Sequence, residues 1–150
     1  MSLFEPLNSD DNLKEIIKSA YDLELDISGS WGYTQDDATI IHSTDTPLHQ
    51  FEHIFASMRA YTEMSMTKEK DDRYGSININ EISREELTAN TILYHKVVYE
   101  VTAMKESLYT TFIKEYKENY GKEAFDLALH FKRREAATLH REVTHWFQIN

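Results

Sequence analysis

The chain has 150 residues, with 16 Lys and Arg against 26 Asp and Glu, no Cys, four Gly and two Pro, and 41% of its residues are hydrophobic. This composition suits one globular domain over residues 1–150 and excludes disulfide frameworks, thiolate metal sites and cysteine nucleophiles. A net charge of −10 repels polyanions, which excludes general nucleic-acid binding through phosphate neutralisation.

Met1 to Leu7 has neither the basic start nor the apolar run of a secretory leader, and no window approaches the ~18 apolar residues of a membrane span. The expectation is a cytoplasmic protein without a membrane partner. Ser9 to Leu23 reads as a first helix: Ser9 or Asp10 caps it, Asp10 and Asp11 suit its positive dipole end, and Leu13, Ile16, Ile17 and Ala20 share a face. Leu23, Leu25 and Ile27 then alternate with Glu24 and Asp26, the period of a half-buried strand. Gly29 and Gly32 allow a bend around Trp31, and Ala38 to His42 returns as a second strand.

After Pro47 the pattern is double. Leu48, Phe51, Phe55 and Met58 keep helical spacing, whereas Ile54, Ala56, Met58, Ala60, Met64 and Met66 alternate, and the longer alternation predicts a strand from Ile54 to Met66. The charged stretch Thr67 to Tyr74, followed by Gly75, reads as a turn into a fourth strand through Ile77, Ile79 and Ile82, so that these two strands form a hairpin. Ser83-Arg84-Glu85-Glu86 has the form of a capping box and starts a long helix through Leu87, Tyr94, Val98, Val101, Leu108 and Phe112 to Gly121. The β-branched residues at 91–104 make a strand the competing reading of that part. Phe125, Leu129, Ala136, Leu139, Val143 and Trp146 give an amphipathic last helix over Lys122 to Phe147. The fold class that results is α+β: an N-terminal helix, an antiparallel sheet of about four strands, and two long C-terminal helices packed on one face.

Candidate chemistry is sparse. His49-Gln50-Phe51-Glu52-His53 matches the H-x-x-E-H signature of inverted zincin peptidases, in which a helical His pair binds a metal and the Glu acts as general base. The alternative function is therefore a metal-dependent hydrolase, or a protein binding Zn or another divalent metal, using His49, Glu52 and His53. The competing reading makes both histidines surface residues. Glu142 and His145, with Glu135 nearby, repeat the i, i+3 spacing of di-iron bundles, but one such pair is not a site. There is no Gly-x-Ser-x-Gly elbow and no Gly-rich phosphate loop.

The charge distribution carries more. Residues 1–45 sum to −8, whereas residues 122–150 sum to +1 and contain Lys132-Arg133-Arg134. Opposed ends of this kind attract each other within the fold or across a dimer, or leave an acidic face for a basic partner. Trp31 and Tyr33, with Asp36 and Asp37 beside them, form the candidate partner-binding surface, against a reading in which both aromatics pack inward on the first helix. The main functional expectation is a small acidic protein-binding module for a basic partner, chaperone-like or immunity-like, without a cofactor, and a homodimer, because two long C-terminal helices leave apolar surface to spare.

Overall fold

The computed structural model describes residues 5–8, 12–69 and 72–150. Its elements run α1 (Leu13–Tyr21), β1 (Ile27–Gly29), β2 (Thr39–Ile41), α2 (Leu48–Thr67), β3 (Tyr74–Ala89), β4 (Ile92–Lys105), α3 (Glu106–Asn119), α4 (Leu127–Ala137) and β5 (Leu139–Ile149). The five strands form one mixed sheet in the order β1-β2-β5-β4-β3, antiparallel throughout except for the parallel pair β2 and β5. The class is α+β, but the expected arrangement of four antiparallel strands under two long C-terminal helices is overturned at three places.

The first is α2, a helix where a strand was expected. Its buried positions are Phe51, Glu52, Phe55, Ala56, Met58, Arg59, Ala60, Thr62, Glu63 and Met64, and three of these ten, Glu52, Arg59 and Glu63, are charged. Counting apolar residues alone therefore cut the helical run short at Met58, while the longer chance alternation of Ala and Met, both good helix formers, imitated a strand.

The second is the long hairpin of β3 and β4, which occupies the expected long helix. Ser83 to Glu86 lies inside β3, paired with Val98 to His95, so the capping-box pattern caps nothing. The strand reading of 91–104 is the one the structure adopts. Asn90 and Thr91, at φ 52° and 67°, form the two-residue turn between Ala89 and Ile92, the positive-φ pair that matches the twist of a hairpin.

The third is the last segment, which divides. Asp126 caps α4 by accepting from the Leu129 amide at 3.0 Å, the helix ends at Ala137, and β5 then enters the centre of the sheet. In β5 the inward residues His145 and Phe147 are fully buried, as are Val97, opposite His145 in β4, and Tyr99, opposite Val143. Thus α2, not a C-terminal helix, covers this face: Phe55 packs on Trp31, His145 and Phe147 with ring centroids 5.6 to 6.5 Å apart. Helix α1 is capped by Asn12, whose side chain accepts from the Glu15 amide, while the expected caps Ser9 and Asp10 lie outside the described residues. Among the described residues no helix is long and apolar enough to cross a membrane.

Candidate functional site

The expected aromatic surface turns inward. Trp31 is 1% exposed and stacks on Phe55, so it belongs to the core and presents no contact area to a partner. Tyr33 is half-buried: its hydroxyl accepts from the Leu7 amide at 3.0 Å and donates to Glu63, and Arg59 lies 4.6 Å over its ring. Arg59 is itself buried and donates to the carbonyls of Trp31 and Thr144. Burial is the main reason Glu63 is pushed up to about 7, against the opposing pull of Arg59 and the Tyr33 hydroxyl. Asp36 is exposed, whereas Asp37 closes a local turn with Thr34, whose hydroxyl accepts from the Asp37 amide. Hence the residues proposed to act together are separated: Trp31 and Tyr33 anchor the segment to α2, and the two aspartates stay on the turn outside.

The His-Glu-His string separates as well: α2 leaves His49 and His53 exposed and buries Glu52. Glu52 is 0% exposed, holding Arg84 at 2.7 Å through Oε1 and His95 Nδ1 at 2.8 Å through Oε2. Arg84 also donates to Glu81 at 2.8 Å, and His53 Nε2 meets the Ile79 carbonyl at 2.8 Å. The carboxylate expected to serve a metal is thus a buried tie between α2, β3 and β4. In the second string Glu142 and His145 fall on opposite faces of a strand, and Glu135 faces His140 at 3.1 Å. No three His, Asp or Glu side chains among the described residues are gathered in a metal-holding arrangement.

A pocket of about 320 Å³ lies where the loop after α1 and the loop after β2 meet the first half of α2. Phe51, Phe55 and Met58 are buried at its floor, while Leu23 and Ile54, each 41% exposed, stand at its mouth. Its rim carries Glu24, Asp26 and Asp45, all exposed and all from the acidic first 45 residues. The loops are held in place by polar contacts: Ser43 donates to Asp26 at 2.7 Å, the His42 amide donates to the Asp26 carbonyl at 3.0 Å, and Tyr21 donates to the Met58 carbonyl at 3.0 Å. Glu24 pairs with Lys18 at 2.6 Å, and that ammonium group holds its carboxyl below the usual range.

An apolar floor rimmed by carboxylates has the chemistry to suit a group that is apolar at its tip and cationic at its edges. The signal for it in the sequence was the run Leu23-Glu24-Leu25-Asp26, which alternates as a strand would; only Ile27 at its end enters β1, leaving the rest as the loop that walls the pocket. The chain matches no protein-family model, no curated protein and no solved structure.

Proposed function

We propose that this protein is a binding module for a cationic, amphipathic protein segment, which docks in the groove between the loop of Leu23 to Asp26, the loop of Ser43 to Thr46 and helix α2. The observation that carries this reading is the juxtaposition at one mouth of two exposed aliphatic side chains, Leu23 and Ile54, with the carboxylates of Glu24, Asp26 and Asp45. An aliphatic anchor of the partner fills the pocket, and flanking Lys or Arg side chains face the rim. The apolar contact supplies most of the affinity, and the rim speeds encounter and selects the sign of the partner.

Calorimetric titration with a short synthetic peptide of Leu flanked by Lys tests this, with the same peptide carrying Glu for Lys as control. Binding is expected for the Lys peptide alone and weakens with salt. Asp26→Asn with Asp45→Asn lowers its affinity about tenfold or more, equivalent to about 1.4 kcal/mol, while Asp36→Asn with Asp37→Asn leaves it unchanged. Equal binding of both peptides, or equal loss from both pairs of substitutions, overturns the reading.

A further inference from the structure

The acidic groove and the basic run occupy opposite ends of the sheet. Strand β5 begins at Leu139, just after α4, and ends at Ile149, which pairs with Ile41 at the end of β2 that leads into the groove loop. Eleven strand residues separate the two, about 35 Å of chain. The attraction between the chain ends suggested by the charge count is therefore not made within one molecule at these sites. The basic residues of α4 turn to near neighbours, Arg133 to Glu115 and Arg134 over the Phe131 ring.

The outward face of α4 has the chemistry that the groove recognises. Leu129, Lys132, Arg133 and Ala136 follow the i, i+3, i+4, i+7 spacing of one helical face, and all four are exposed, Leu129 by 51%. On the other side Phe131, itself 47% exposed, and Arg134 line a pocket at the sheet end, and His130 is buried among the rings of Phe112, Tyr116 and Phe125. Leu129 is thus an aliphatic anchor with the exposed cation Lys132 three residues on, while Arg133 is held by Glu115, and the preformed helix lowers the ordering cost of docking.

We infer that the occupant of the groove is α4 of a second copy of this chain, with Leu129 entering between Leu23 and Ile54 and Lys132 meeting Asp26 and Asp45. This rests on the groove reading above and names its partner. The two surfaces differ and lie at opposite ends of the molecule, so the contact is heterologous: copies add head to tail, and each new copy leaves one groove and one α4 face open.

Sedimentation of the full chain tests it. Wild-type protein is expected to form species larger than dimers as concentration rises, and high salt dissociates them. Leu129→Glu with Lys132→Glu disables the donor face, and Asp26→Lys with Asp45→Lys disables the groove. Each variant alone is expected to be a monomer, and an equal mixture of the two forms a dimer and nothing larger, because only one competent donor and one competent groove remain in each pair. A wild-type protein that stays monomeric, or a closed dimer indifferent to both variants, overturns the inference. If the wild type stays monomeric yet binds the Leu/Lys peptide, self-association alone fails; if it binds neither, the groove reading fails with it.

Discussion

Glu52 Oε1 lies 2.7 Å from Arg84 Nη1, joining helix α2 to strand β3 with the carboxylate fully buried and the guanidinium partly exposed. Removing Arg84 leaves the buried Glu52 carboxylate with His95 as its remaining partner, whereas removing both leaves no buried carboxylate to compensate. Arg84→Met is therefore expected to destabilise the fold by about 3–5 kcal/mol. Glu52→Met combined with Arg84→Met should recover most of that loss. Urea unfolding of the single and double variants gives the coupling directly, and additive losses would contradict a pair that acts as a unit.

Glu63 gives stability a pH dependence of unusual sign for a carboxylate. Burial raises it from 4.5 to about 7, so the folded protein keeps a proton that the unfolded chain releases near pH 4.5. Its contribution is complete below about pH 4.5 and is lost as the pH rises through about 7. Glu63→Gln removes this dependence, so the variant is expected to gain about 3 kcal/mol on wild type between about pH 4.5 and about pH 8, whatever their difference at the acid end. Thermal unfolding across that range measures it; parallel profiles of variant and wild type would contradict it.

Gly32 adopts φ +83°, and a Cβ there would come within 2.2 Å of His145 Cδ2 and 2.7 Å of the Trp146 carbonyl. His145 cannot move aside, because it is buried, stacked on Phe147 at 4.1 Å and hydrogen-bonded to Thr39 at 3.0 Å. Gly32→Ala is expected to cost about 4 kcal/mol or more. Gly121 has nearly the same φ with nothing within 4 Å, so Gly121→Ala shows the backbone strain alone, about 1 kcal/mol. Equal losses at the two sites would mean that the approach to His145 does not matter.

Thr91 carries a β-branched side chain at φ 67° in the second position of the hairpin turn. Thr91→Gly relieves that strain and creates the Asn-Gly pair favoured in such turns, and it is expected to stabilise the fold by about 1 kcal/mol in urea unfolding. A loss of stability would contradict the turn geometry.

These sites also show why the fold was only partly legible. Helix α1 and strand β2 could be read because Leu13 and Ile17 of the first, and Thr39 and Ile41 of the second, are the buried residues and follow one simple period each. Helix α2 could not, because Glu52, Arg59 and Glu63 occupy the core face that pattern reading assigns to apolar residues. The Ser83 to Glu86 box was misleading for a related reason: sheet pairing with β4 overrides a local preference. As for the site, the acidity of the first 45 residues was visible, but not which carboxylates would face an apolar floor. That depends on Phe51 and Ile54 of α2 arriving beside the Leu23 to Asp26 loop, a contact between segments far apart in the chain.

The most direct test of the groove is a methyl-detected NMR titration of the full chain with the Leu/Lys peptide. Leu23 and Ile54 methyl signals are expected to shift together and saturate, while those of Ile82, 49% exposed on β3 and outside the groove, stay in place. Unmoved Leu23 and Ile54 signals, or an equal shift at Ile82, would contradict docking at this groove.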